Sequence, residues 1–319
     1  MKAAFRSRYG RHNVLSIKEL DTPIPAENQV LIRVYAATVN RSDCHVLWGK
    51  PWVMRLFTGI SKPKVAITGC DFAGQVEAIG EQVKTFKVGD KVMGFAGALG
   101  YGTHTQYIVF PENKGIVQMP AGLPYEQAAA CIEGAFYALG AVRALNPTSK
   151  QSALVIGATG AIGSATIQFL SMYGIPVTAV CEAENTELVQ SLGATRVIDY
   201  KTQDFTQDDH QYDLIVDAVG LYAFSRCRHL LKPNGSYTSS GGTSNLFWAL
   251  ATRFVGNKKV VFNMSFKIKE GLAYIKEKIE GGSFRPVIDR QYALARVAEA
   301  FEYVATGKKL GNVILTMED

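Results

Sequence analysis

The chain has 319 residues, of which 47% are hydrophobic and 19% charged, with 30 glycines and a formal net charge of +6. That length supports two compact domains with cores of their own and excludes a small scaffold dependent on staples, and the composition excludes a disordered or collagenous chain. Basic residues alternate with acidic ones, as in Lys276-Glu277-Lys278-Ile279-Glu280, so no long single-sign tract forms and nucleic acid is not expected as a partner.

Five cysteines, Cys44, Cys70, Cys131, Cys181 and Cys227, are odd in number, far apart and without a CxxC pair. With no signal peptide ahead of them they predict a reduced, cytoplasmic protein. The best apolar run, 128–142, is shorter than the roughly eighteen residues of a membrane helix and is broken by Glu133, so no membrane partner is expected.

Up to residue 123, short β-rich stretches at 29–36, 74–79, 91–95 and 105–109 are separated by Gly, Pro and Asp turn signals, which predicts a strand-and-turn domain. An irregular segment, 48–61, suits a mobile lid. Beyond 123 the pattern changes. Apolar runs at 153–156, 177–181, 196–198, 214–218, 236–239 and 260–262 alternate with helical segments at 161–173, 186–192 and 223–231. Such alternation predicts βαβ units and a doubly wound parallel sheet of six strands. A helix at 269–280, a strand at 286–288, a helix at 295–306 and a strand at 313–316 follow, and this tail is expected to rejoin the first domain. The fold class is α/β, with domains at 1–123, 124–264 and 265–319.

The run 153–156 leads directly into Gly157-Ala158-Thr159-Gly160-Ala161-Ile162-Gly163 and then an amphipathic segment carrying Ile167, Phe169 and Leu170. A strand, a glycine turn and a helix let backbone N–H groups and a helix N-terminus approach a pyrophosphate that side chains would otherwise block. The run 177–181 ends beside Glu182, where a carboxylate accepts hydrogen bonds from the adenosine ribose hydroxyls and repels a 2′-phosphate, favouring NADH. The same Glu182, with Glu184, also suits a helix start at Thr186.

Asn40-Arg41-Ser42-Asp43, Gly69-Cys70-Asp71-Phe72-Ala73-Gly74, Val88-Gly89-Asp90-Lys91-Val92, the Gly157 to Gly163 turn, Gly193-Ala194 before Val197-Ile198-Asp199-Tyr200, and Asp217-Ala218-Val219-Gly220 form a set. With them the chain resembles, over essentially its whole length, the medium-chain dehydrogenase/reductase superfamily, most closely its zinc-independent quinone oxidoreductase branch. The resemblance implies a GroES-like β-rich catalytic domain made of both chain ends, a Rossmann domain between them, and an active site in the interdomain cleft. It implies NAD(P)H as cofactor, usually NADPH, with Arg41, Tyr200, Val219 and Gly241 joining the glycine turn as cofactor-binding residues. Dimers that extend the Rossmann sheet are common in the superfamily, and the edge at 260–262 would serve; a monomer with that edge covered by 248–257 is the alternative.

In the alcohol dehydrogenase branch two cysteines and a histidine hold a catalytic zinc; by resemblance the first cysteine position is Asn40 here, the histidine position is Cys70 and the second cysteine position is Cys131. Neutral Asn is a poor zinc ligand, so no metal is expected, although Cys70, Cys131 and Asp71 could converge on one. The segment Arg41 to His45 keeps features of a dehydrogenase proton relay, which makes Asn40, Ser42 and His45 the candidate catalytic residues. Trp48, Trp52, Phe57 and Tyr101 are candidates for an apolar wall against a flat ring. The expected activity is hydride transfer from NAD(P)H to a quinone or an α,β-unsaturated carbonyl compound. The alternatives are a zinc-dependent alcohol dehydrogenase using Cys70 and Cys131, or a non-catalytic nucleotide-binding protein.

Overall fold

The computed structural model describes residues 1–97, 102–262 and 267–317. Lys2–Phe5 (β1) and Ser16–Glu19 (β2) pair as an antiparallel ladder. Gln29–Val39 (β3) alternates buried and more exposed residues in its first half, then is buried at every position from Ala36 to Val39. One-sided burial produces the alternation; a strand covered on both faces loses it. Its buried end delivers the chain into Arg41–Trp48 (α1). The segment 48–61 is mostly two short helical turns, Trp52–Met54 and Arg55–Thr58 (α2).

Asp71–Ile79 (β4), Lys91–Phe95 (β5), Tyr107–Pro111 (β6) and Ile116–Gln118 (β7) complete the first β-rich stretch, and Tyr125–Ala130 (α3) and Glu133–Leu145 (α4) follow. Tyr125–Leu145 is long and apolar enough by composition to cross a membrane, yet most of it is buried inside the fold. A core helix of that kind passes the same length test.

Ala153–Ile156 (β8), Ala161–Ser171 (α5), Val177–Cys181 (β9), Thr186–Ser191 (α6), Ala194–Asp199 (β10), Tyr212–Asp217 (β11), Phe224–Cys227 (α7), Leu231–Ser239 (β12), Thr243–Ala251 (α8) and Lys259–Val260 (β13) build the second unit. All its strand pairs are parallel, in the order β10-β9-β8-β11-β12-β13, which is the six-stranded doubly wound arrangement with its switch point between β8 and β11. Leu154, Ile156, Val180, Ile215, Phe224 and Tyr237 lie in its core. Two expectations shift here. The helix at 223–231 is α7 followed by a single 3-10 turn, because the chain already enters β12 at Leu231, opposite Tyr212. The last strand is Lys259–Val260 rather than 260–262, although the Val261 N–H still donates to the Tyr237 carbonyl at 2.9 Å.

Ile268–Glu280 (α9), Ile288–Ala293 (β14), Val297–Ala305 (α10) and Asn312–Thr316 (β15) end the chain. The strand expected at 286–288 begins at Ile288 instead; Pro286 has no N–H to give a ladder. β15 runs antiparallel to β3, giving a sheet ordered β14-β15-β3-β4-β5-β7 with β6 also on β3. Val30, Ile32, Phe72, Phe110, Phe301 and Leu315 share its core.

The first unit comprises Met1–Glu133, Lys267–Gly281 and Val287–Asp319, and the second Gly134–Phe266 and Gly282–Pro286. The first boundary falls after α3 rather than before it, because α3 packs on β3, β4 and β15. Residues 282–286 stay with the second unit, where Phe284 stacks on Phe169 with centroids 5.1 Å apart and the Arg285 N–H donates to Gln168 Oε1 at 2.9 Å.

Candidate functional site

β8 is followed by Gly157, whose φ of 74° is open to glycine at little cost and where a Cβ would stand 2.3 Å from Val219 Cγ2. Gly160 is the N-cap of α5, and no side chain caps that helix. The first-turn N–H groups of an uncapped helix point outward as donors with the positive end of the macrodipole behind them. Gly163 lets the helix lie close to the turn, since a Cβ there would meet the Gly157 carbonyl oxygen at 2.1 Å. The sequence Gly157, Ala158, Thr159, Gly160, Ala161, Ile162 and Gly163 is thus the expected strand, turn and helix, at the switch point of the sheet.

Val219, Gly220 and Gly241 lie at the carboxyl ends of the neighbouring strands β11 and β12. Buried Asp217 organises that corner: Oδ1 accepts from the Val219 N–H at 3.0 Å and the Gly220 N–H at 2.9 Å, and Oδ2 from the Tyr222 N–H at 2.9 Å. The loop is held open, and Val219 is 46% exposed. Glu182 and Tyr200 follow β9 and β10, and the Tyr200 hydroxyl donates to Glu182 Oε1. The Lys201 ammonium lies 3.4 Å from the same oxygen. The Tyr200 bond holds the Glu182 carboxyl below its usual range, while desolvation and that same bond push Tyr200 to about 12. Sequence reasoning placed Glu182 and Tyr200 here but not Lys201, which neutralises the carboxylate.

The first unit holds a second polar group, and it is buried. Asn40, the N-cap of α1, directs its backbone N–H to Asp43 Oδ2 at 2.8 Å, the acidic half of a capping box. Its side-chain Nδ2 donates to Thr38 Oγ1 at 2.5 Å and to Glu133 Oε2 at 2.5 Å. The Ser42 hydroxyl bonds Glu133 Oε1, and the Cys70 thiol donates to Glu133 Oε2 at 3.2 Å. One face of α1, the start of β4 and the start of α4 therefore converge on one carboxyl that is 3% exposed. Asp71 lies alongside, accepting from the Thr38 N–H at 2.8 Å and from the Thr38 hydroxyl at 2.5 Å. Behind Thr38, His104 Nε2 donates to the Thr38 carbonyl at 2.9 Å; a carbonyl can only accept, so Nδ1 takes the Thr68 hydroxyl proton. Burial brings His104 down to about 4 and fixes it neutral.

Three carboxyls in one interior cannot all ionise easily. Burial first and the Glu133 charge second push Asp71 to about 8 and hold Asp43 well above its usual range. Burial raises Glu133 too, against the pull of its three donors and of Lys309. Lys309 is half-buried, and desolvation lowers it to about 8.

Of the expected catalytic residues, Asn40 and Ser42 belong to this group and His45 does not. His45 is exposed on α1, tilted against Trp48 at 5.6 Å between ring centroids, and desolvation with the Arg41 charge lowers its pKa. Arg41 donates to the Ala305 carbonyl at 2.9 Å and lies over the Trp48 ring. Trp52 and Phe57 are each 63% exposed, and Tyr101 lies outside the described residues. Sequence reasoning passed over Glu133, which reads along the chain only as a carboxylate that breaks an apolar run.

A six-stranded doubly wound sheet with an uncapped glycine turn at its switch point is a dinucleotide-binding unit. Residues 26–121 match the family described as the alcohol dehydrogenase GroES-like domain, and residues 192–315 that described as zinc-binding dehydrogenase. The chain belongs to the medium-chain dehydrogenase/reductase superfamily, within its quinone oxidoreductase-like branch. It is 31% identical to the NADPH-dependent alkenal/one oxidoreductase, chloroplastic, of Arabidopsis thaliana over 99% of this chain and 79% of that protein. To the quinone-oxidoreductase QR1, chloroplastic, of Triphysaria versicolor it is 29% identical over 99% of this chain and 98% of the relative. The solved quinone oxidoreductase from Coxiella burnetii matches with a TM-score of 0.88 at 25% identity, covering 100% of this chain and 99% of that one.

Zinc, which one family description names, does not fit the residues here. The convergence of Cys70 and Cys131 that the zinc-dependent alternative needed is not formed: Cys131 caps α3, and burial alone raises its thiol. Among the described residues Cys70 groups instead with Asp43 and Glu133, their ligand atoms within 4.8 Å of one another. That set has one soft donor and two carboxyls, and both Glu133 oxygens are already hydrogen-bonded. Asn40 uses its amide nitrogen as a donor, which turns it away from metal ligation.

Proposed function

We propose that the protein is an NAD(P)H-dependent reductase that adds a hydride to a quinone or an α,β-unsaturated carbonyl compound without catalytic zinc. The observation that carries the reading is the Gly157 to Gly163 turn at the switch point, backed by an uncapped helix and flanked by Val219 and Gly241. The acceptor class is supported by relatives named quinone oxidoreductase and alkenal/one oxidoreductase. When bound, NAD(P)H supplies the hydride from C4 of its dihydronicotinamide ring.

The chain's own residues do the rest. The N–H groups opening α5 hold the pyrophosphate, and the loops at Val219 and Gly241 border the dinucleotide. Ser42 serves the acceptor oxygen as charge develops on it, and Asn40 holds Glu133 in place behind Ser42. Both cofactors are accepted on this reading: Glu182 receives the ribose hydroxyls of NADH, while Lys201 and Tyr200 turn from Glu182 to a 2′-phosphate when NADPH binds. We also infer a homodimer paired through the outer edge of β13, and residence in a reducing compartment such as the cytoplasm, which five buried free cysteines suit.

The test is oxidation of NADH and of NADPH by chelator-treated protein with a panel of quinones and enones. Turnover without metal is the expected result. Cofactor binding without turnover of any acceptor would sink the reductase reading, and activity restored only by zinc would sink its metal-free form.

A further inference from the structure

We propose that Glu133 holds the proton that Ser42 delivers to the acceptor oxygen. The inference rests on the reductase reading for the direction of transfer, and on the geometry of the first unit for everything else.

The two carboxyl oxygens of Glu133 have different neighbours. Oε2 receives the Asn40 amide at 2.5 Å and the Cys70 thiol at 3.2 Å, so it is the oxygen that only accepts. Among the described residues Oε1 receives the Ser42 hydroxyl. A proton on this carboxyl therefore belongs on Oε1, from which it donates to Ser42 Oγ and frees the Ser42 hydrogen to point elsewhere. With the proton gone, Oε1 accepts from Ser42 instead. Both states are fully hydrogen-bonded, which is what a group that cycles between them needs. Ser42 is half-buried, whereas Asn40, Asp43, Cys70 and Glu133 are all buried, so Ser42 is the member of the group with an accessible hydroxyl.

The surroundings serve both states as well. Asp43 on α1 and Asp71 on β4 lie beside Glu133 with their own pKa values raised, and burial favours the neutral form of Glu133. Lys309, on the turn after α10, faces it with opposite charge and supports the carboxylate that remains after transfer. The Cys70 thiol is held up by burial and by these acids, so it stays a donor.

NAD(P)H, when bound, would supply two electrons as a hydride for the new C–H bond on the acceptor, with the electron pair displaced from the acceptor's π system left on its oxygen. That oxygen takes the Ser42 proton, the Ser42 O–H bond breaking as the acceptor O–H bond forms. Ser42 Oγ takes the proton from Glu133 Oε1, leaving a carboxylate that solvent reprotonates before the next turnover. Glu133 is thus a positioning and proton-holding residue acting through Ser42.

Glu133→Gln is the informative variant, because a glutamine with Nε2 toward Ser42 and its oxygen toward Asn40 and Cys70 reproduces the bonds of the protonated acid but releases no proton. The expected result is a kcat lower by on the order of 10²-fold, a lost decline of kcat with rising pH, and an unchanged acceptor KM and cofactor affinity. Ser42→Ala should lower kcat to a similar extent, with the double variant no worse than either alone. Glu133→Asp should recover the pH dependence. On protein without cofactor, an infrared pH-difference spectrum should show a carboxylic acid carbonyl band that Glu133→Gln removes.

Unchanged kcat and pH profile in Glu133→Gln would overturn the proposal while leaving the reductase reading intact. If that variant does not fold, a folded Ser42→Ala with wild-type rate and profile overturns it equally. A wild-type spectrum without the Glu133 carboxylic acid band at any pH where the enzyme works also overturns it. Wild-type protein that reduces no acceptor overturns the reductase reading and this inference together.

Discussion

The turn from Gly157 to Gly163 offers polar groups that come from the backbone, follow one another in the chain and face outward at the end of an uncapped helix. The group around Glu133 offers polar groups that are side chains, drawn from Thr38, Asn40, Ser42, Asp43, Cys70 and Asp71, and it is almost entirely buried. The two constructions differ in what they can hold. Backbone donors at a helix end suit an ionised ligand arriving from solvent, and they need only that nothing stand in front of them. A buried carboxyl suits a proton, because burial favours its neutral form while the donors around it keep the ionised form within reach.

The largest effect expected on the backbone side is Gly160→Asp. A Cβ at Gly160 meets only the Gly157 carbonyl oxygen, at 3.6 Å, so Gly160→Ala should be tolerated and the aspartate tests charge alone. NADH affinity, read by its fluorescence, should fall by roughly two orders of magnitude or more for a carboxylate set against a pyrophosphate. Equal affinities for the aspartate and alanine variants would remove the turn from the binding site.

On the buried side, Asp71 should make stability depend on pH. Its folded pKa is raised from 3.8 to about 8, so the folded state keeps a proton that the unfolded chain releases above about 4. Its contribution is complete below the unfolded value and is lost as pH rises toward 8, by up to about 1.4 kcal/mol per pH unit. Asp71→Asn keeps an oxygen for the Thr38 N–H and cannot ionise, so denaturant unfolding of that variant should fall off less between pH 5 and 8. Parallel curves would show that Asp71 titrates as it does in water.

Asn40→Ala removes an N-cap and two donors to the buried group at once, and should lower unfolding free energy by about 2 kcal/mol. A loss under a few tenths would mean that the convergence on Glu133 contributes little to the fold. The smallest effect concerns the ribose end. Lys201 and Glu182 are partly exposed, so Lys201→Ala should weaken NADPH several-fold and NADH less, and Glu182→Gln should shift preference toward NADPH. Equal changes for both cofactors would separate this pair from the 2′ position.

Local information was sufficient for the second unit. Strands β8 and β9 match the apolar runs 153–156 and 177–181 residue for residue, and the six-strand count holds. Parallel strands buried on both faces must be continuously apolar, and a glycine turn must be consecutive in the chain, so both are written along the sequence. Where the reading slipped, at the end of the helix from 223 and at β13, pairing with a neighbouring strand decided the boundary.

The first unit was legible as strands and turns, and the resemblance pointed to Asn40 and Ser42. What they contact was not legible. Glu133 lies 91 positions from Ser42 and 63 from Cys70, and nothing in its own neighbourhood distinguishes a carboxylate that interrupts an apolar run from one that anchors a polar group. Likewise Cys131 and Cys70 read alike as candidate ligands until the fold set one at the end of α3 and the other against Asp43 and Glu133. The sequence by itself determined the α/β class, the doubly wound sheet and the glycine turn, because each depends on residues near one another in the chain. Only the tertiary structure decided which buried groups share protons, because burial and opposing charges are properties of what the fold brings together.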